Sequence, residues 1–316
     1  MNHIMRVGPY AIGIHFPVER EHRGRELAPC HEWPVHDVAQ YKDKCPKDWD
    51  VGTPTRGGFF FGTMAGRELW FDFRPMQSQP HHFAVVLIMQ GVNALTGLPA
   101  VNLNRRGRYQ APERPTLEQY KVNCPVHGTA LGAQRMCERC GFKWPPHNYI
   151  TNAAGDSSIA EFWRDGWMTA LGEIKQFVLR SAWEEVGVAQ QMLGAARTLA
   201  IDIAVFRSEQ PKSPPPPVKS IRRGSPCLSF GGGSGRLGSC EALDRSFEGD
   251  ELTLGCDSQD DGDVGSPPRI GAPARMEVAM GRAVDQEIYE DPNALSFWHP
   301  DPVALFTLFP TDAAWV

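Results

Sequence analysis

The sequence predicts an α+β, predominantly β chain, built on packed sheets in a sandwich-like domain, and three stretches carry that expectation. Tyr10 to Phe16 alternates apolar with small or polar side chains, the period of a half-buried strand, and Pro17 ends it because proline cannot donate to a ladder. Phe59-Phe60-Phe61 and Leu69-Trp70-Phe71-Asp72-Phe73, parted by a turn near Ala65-Gly66, read as an aromatic-rich hairpin closed by Pro75. His81 to Met89 is continuously apolar from Phe83 onward and rich in β-branched residues, which predicts a central strand covered on both faces.

The remaining elements follow in order. A polar, proline-interrupted segment after Pro17 reads as a surface loop pinned by Trp33 and Trp49, and Gly91 to Gly97 reads as a turn. Asn102 to Pro115 is a polar loop holding Arg105, Arg106, Arg108 and Arg114. Two strands are expected at Glu161 to Met168 and Glu173 to Leu179, with a turn near Gly172, and helix is the rival reading. Ser181-Ala182-Trp183-Glu184 has the spacing of a capping box, so a helix is expected to start there, bury Trp183, Val186 and Leu193, and stop at Gly194. Leu199 to Phe206 alternates as a further strand.

Residues 209–273 differ in composition: a Pro run, a Gly and Ser tract, and an acidic stretch hold too little apolar surface to offset the entropy of ordering them. They are expected to be a flexible, disordered linker inserted in one β-rich domain that spans 1–208 and closes with strands in 274–316. The economical reason is that a lone pair or trio of strands, such as Met276 to Met280, Val284 to Tyr289 and Val303 to Phe309, is unstable by itself. The tail Ala313 to Val316 is apolar and is expected to dock on its own domain or on a partner.

The chain has 316 residues, 41% hydrophobic and 22% charged, with a net charge of −5, so nothing global drives it toward nucleic acid or anionic lipid. No apolar run approaches the ~20 residues needed to span a bilayer, and the N-terminus lacks a signal peptide's apolar region, so a cytoplasmic location is expected. The eight cysteines are Cys30, Cys45, Cys124, Cys137, Cys140, Cys227, Cys240 and Cys256. Three fall in one motif; the five that remain are an odd number, which argues against a disulfide framework.

That motif is Cys124-Pro125-Val126-His127-Gly128 followed by Cys137-Glu138-Arg139-Cys140-Gly141. Each pair places its ligands three positions apart with a Gly behind, so a tight turn aims both side chains at one point. Three Cys and one His complete a tetrahedral shell and leave no position for water or substrate, which points to a structural Zn²⁺. The two turns resemble the paired knuckles of a zinc ribbon, here at about residues 117–150, with His127 where the module usually carries Cys. The resemblance implies a stabilised segment and names no function.

Three functional readings remain open on sequence alone. The first is a structural or interaction module that works through protein partners or self-assembly. The second is a nucleic-acid-binding surface in which Arg105, Arg106, Arg108 and Lys143 neutralise phosphates and Trp144 stacks on bases. The third is a hydrolase centred on Asp72, His81 or Ser157, although no nucleophile elbow, phosphate loop or His-Glu-x-x-His helix accompanies them. Cys30, His31, His36 and Cys45 have the residue types of a second metal site without a standard spacing. No catalytic residue is assigned.

Overall fold

In a computed structural model of the chain, the run His81–Met89 is an interior strand of a seven-stranded sheet. The structure describes residues 4–17, 30–31, 34–51, 53–100, 102–103, 109–110, 115–153, 162–181, 187–194, 200–212 and 276–315. The longer strands are β1 (Ile4–Val7), β2 (Tyr10–Pro17), β3 (Arg56–Thr63), β4 (Glu68–Asp72), β5 (His81–Met89), β6 (Ile174–Ser181), β7 (Ile201–Pro211), β8 (Met276–Val284) and β9 (Ala304–Asp312). One sheet runs β1-β2-β4-β6 with β8 on β6; the other runs β5-β7-β9-β3, flanked by Ile150–Thr151 beside β5 and His36–Asp37 beside β3. Pairing is antiparallel except between β9 and β3, which run parallel from Leu305 opposite Arg56 to Asp312 opposite Thr63.

The two sheets share a core. Phe71 of β4 and Phe177 and Leu179 of β6 pack in one cluster with Val85, Leu87 and Met89 of β5, Ile201, Ile203 and Val205 of β7, and Phe306 and Leu308 of β9. Strand geometry sends alternate residues to opposite faces, so Ala84, Val86 and Ile88 join a second cluster with Ala204, Phe206, Tyr149 and Trp298 on the outer face of the same sheet. The central strand is therefore covered on both sides, as its unbroken apolar run predicts. Each buried Val, Leu, Ile, Met or Phe among them contributes roughly 1.5–3 kcal/mol by leaving water.

Strands β8 and β9, from the far side of residues 213–269, pair with β6 and with β7 and β3. All described residues belong to one compact unit that spans 1–212 and 270–316. Residues 209–211, expected in the linker, end β7, with Pro211 opposite His81. Of the expected linker, residues 213–273 lie outside the described residues.

Three local expectations are overturned. Val284 to Tyr289 is not a strand of its own, since Val284 ends β8 and residues 285–289 run on outside any strand. The aromatic runs of β3 and β4 do not make a hairpin: β3 is held by β9 and His36–Asp37, whereas β4 pairs with β2 and β6. The short link between them crosses from one sheet to the other, so Phe61 and Phe71 meet in the inter-sheet cluster rather than side by side in one ladder. The helix does not start at Ser181, because that residue closes β6 opposite Met276. Among the described residues of this stretch a helix runs from Val188 to Leu193, after an extended Gly187, and buries Ala189; Trp183 and Val186 lie outside the described residues.

Candidate metal centre

Cys124 and Cys137 open two turns that are alike bond for bond. In the first, the Gly128 N–H donates to the Cys124 carbonyl at 2.8 Å and the Cys124 N–H to Thr129 at 2.8 Å; in the second, Gly141 donates to Cys137 at 2.8 Å and Cys137 to Phe142 at 3.0 Å. Gly128 and Gly141 close the turns at φ +65° and +68°, a left-handed conformation that side chains with a Cβ resist. Antiparallel bridges flank both, Asn123 with Ala130 and Met136 with Lys143. Local sequence thus dictates local structure twice over.

The turns bring Cys124, His127, Cys137 and Cys140 together with all four donor atoms within 4.8 Å of one another, and none is in a disulfide. His127 Nδ1 lies 3.6 Å from Cys124 Sγ and 3.7 Å from Cys137 Sγ. A tetrahedron with metal–S near 2.3 Å and metal–N near 2.1 Å has an S···N edge of about 3.6 Å. Those two edges therefore match a first-row metal held by Nδ1 of His127. Among the described residues this is the one group of three or more His, Cys, Asp or Glu side chains placed to hold a metal ion.

Electrostatics prepares the donors. The Thr129 hydroxyl, 3.5 Å from Cys137 Sγ, and the backbone N–H groups of Cys140 and Arg139 draw the Cys137 thiol down to about 5, which leaves it a thiolate at neutral pH. Cys140 is exposed as a residue, but its sulfur sits in the cluster, where desolvation and the neighbouring Cys137 and Cys124 sulfurs push its thiol up. One preformed thiolate thus opposes ionisation of the next. A divalent cation reverses that opposition, since a coordinating thiol is deprotonated outright.

Beneath the turns lies a small apolar base in which Cys124, Cys137 and Trp144 are buried with Leu98, Leu131 and Phe142 against them. Arg135, between the knuckles, donates to the carbonyls of Tyr120 at 2.5 Å, Trp144 at 3.2 Å and Pro145 at 3.2 Å, so a single guanidinium ties both strands of the stem. Sequence reasoning missed Arg135 and Thr129. Thr129 carried a faint signal, since it directly follows the knuckle glycine.

The other expected site residues scatter. Trp144 is only 3% exposed and packs on Phe142 at 4.4 Å, so it offers no face to a base and is withdrawn from the nucleic-acid surface. The reason is packing: the ribbon needs a floor, and the indole is its largest piece. Lys143 is exposed, while Arg105, Arg106 and Arg108 lie outside the described residues. Asp72 is buried against ionisation, yet hydrogen bonds from His15 and Arg74 and the charge of Arg74 outweigh burial and hold its carboxyl at about 2. His81 Nδ1 instead meets the Ser208 carbonyl at 2.9 Å, so the two residues serve different partners; Ser157 lies outside the described residues. Of the suggested second metal set, His36 stacks on Phe60 at 5.0 Å and Cys45 is buried beside Val38 and Phe60, while the side chains of Cys30 and His31 lie outside the described residues.

No helix among the described residues is long and apolar enough to cross a membrane. Against this geometry, comparison with protein-family models, with curated proteins and with solved structures finds no match.

Proposed function

We propose that the chain is a structural or interaction module in which one Zn²⁺, held by Cys124, His127, Cys137 and Cys140, stabilises a ribbon that works through a protein partner or through self-assembly. The observation that carries this reading is the quartet itself: four protein donors within 4.8 Å of one another and two S···N edges of 3.6 and 3.7 Å, the number and spacing that complete a tetrahedral shell. A closed shell scaffolds and does not turn over substrate. Three sulfurs with one imidazole suit Zn²⁺, and thiolate ligands persist best in a reducing compartment, which favours a cytoplasmic setting.

The interaction half of the reading rests on the surface of the ribbon. Val122 is 66% exposed, Val126 56% and Met136 47%, so apolar side chains face solvent around a rigid metal-braced tip. The test is a native mass spectrum of the purified protein over a range of concentrations, with bound metal quantified. One zinc per chain and a defined oligomer, or a stoichiometric partner retained on purification, is the expected result. A metal-free, folded protein sinks the proposal, and a zinc-bearing monomer that takes up added nucleic acid replaces the interaction half.

A further inference from the structure

We infer that the metal centre also governs a short segment far from it in sequence, Tyr289 to Ala294, which the stem of the ribbon clasps against the outer face of the central sheet. The inference rests on the quartet being a metal centre and adds what that centre controls. Between the quartet and the segment stands the stem, two antiparallel stretches that meet at Gln119 opposite His147, with Tyr120 N–H donating to Pro146 at 2.7 Å and Asn148 N–H to Glu118 at 3.1 Å. Arg135 binds both stretches from the metal side, so whatever orders the knuckles holds Arg135, and Arg135 holds the stem.

From the other side of the stem the bonds run to the segment. Gln119 Nε2 donates to the Asn293 carbonyl at 2.8 Å, Lys121 Nζ to the Asp291 carbonyl at 2.9 Å, and Asp291 N–H to His147 Nε2 at 3.2 Å. Asp291 is fully buried, and its carboxylate accepts from Tyr149 Oη at 2.7 Å and Trp298 Nε1 at 2.8 Å. The segment belongs to no strand, whereas its neighbours are fastened independently: β8 by β6, and residues 298–303 by bonds from β7, with His299 N–H on Arg207 and Val303 N–H on Val205. Residues 289–294 thus take their long-range bonds chiefly from the stem, and a stem that opens removes the Gln119, Lys121, His147 and Tyr149 bonds together, leaving the buried Asp291 carboxylate only Trp298 Nε1 and the Asn293 N–H and Nδ2, a loss that loosens the segment.

Hydrogen exchange on the full chain, with zinc and after chelation, reads this directly, with metal content measured on the same samples. The expected result is that metal removal speeds exchange by about tenfold or more in 117–149 and in 289–294 together, while β8 and β9 stay protected. Bound zinc whose removal leaves 289–294 unchanged overturns the coupling and leaves the metal centre standing. A protein that never binds metal overturns both. Loss of protection in β8 and β9 as well also overturns the inference, because the metal then holds the whole domain and not one segment. Arg135→Gln supplies a second arm: zinc stoichiometry stays at one per chain while 289–294 exchanges faster, and unaltered exchange there overturns the relay through Arg135.

Discussion

From Cys124 to Trp144 the chain buries two thiols and one indole; from Phe83 to Met89 it buries seven consecutive side chains. Both stretches are ordered, and for opposite reasons. Order in the first is concentrated at a point where four donors converge, and on the proposed reading it comes and goes with the ion they would hold. In the second it is spread over area, so each lost side chain weakens it by a graded amount. The contrast teaches that one chain can answer the entropy of folding locally where apolar residues are scarce and collectively where they are abundant.

The strongest way to break that contrast is Cys137→Ser, which removes the donor already ionised at neutral pH. Structural zinc contributes on the order of 10 kcal/mol to small modules, so metal content should fall from one per chain to none and residues 117–149 should become the first site of limited proteolysis. Unchanged proteolysis there contradicts the point-centred account. In the other region, Leu87→Ala should lower global stability by about 2–5 kcal/mol in a urea titration and leave the metal content of the folded protein intact. Loss of zinc from that folded fraction merges the two regions.

His147 sharpens the boundary between them. Fully buried in the stem, it is pushed by burial from 6.5 to about 4, with Nδ1 facing the Tyr149 carbonyl and Nε2 within reach of both the Asp291 N–H and the Tyr289 carbonyl. The unfolded chain therefore binds the extra proton between pH 6.5 and 4, so stability is complete above that window and falls by roughly 3 kcal/mol as pH drops through it. His147→Gln should flatten this part of the pH–stability curve relative to the native chain; a parallel curve assigns the slope elsewhere. The smallest effect is expected from Thr129→Val. Loss of the hydroxyl that supports the Cys137 thiolate should weaken zinc by about 10- to 100-fold in a competition titration without changing the fold, whereas Thr129→Ser restores it.

What could be read from sequence follows the same division. The quartet was legible because every constraint on it is local: ligand spacing, a glycine behind each pair, and turn hydrogen bonds that reach four or five residues. The central strand was legible because composition alone places a continuous apolar run inside. The hairpin of β3 and β4 was misread because an aromatic run announces a strand but not its neighbour, and the neighbour of Arg56 proves to be Leu305. Trp144 was misread because a lone indole beside a metal motif serves equally as floor or as contact surface. The bonds around Asp291 left no trace, since Tyr149 and Asp291 stand 142 residues apart.

The parallel pairing of β3 with β9 also fixes a timetable for the protein's birth. Arg56 and Thr307, hydrogen-bonded in the finished sheet, are 251 residues apart. At roughly 5–20 residues per second a ribosome makes β3 tens of seconds before its partner exists. During that wait the strand Arg56–Thr63, with three successive phenylalanines, has an open edge. Nascent chains stalled before residue 304 should therefore be the form of this protein most in need of a chaperone.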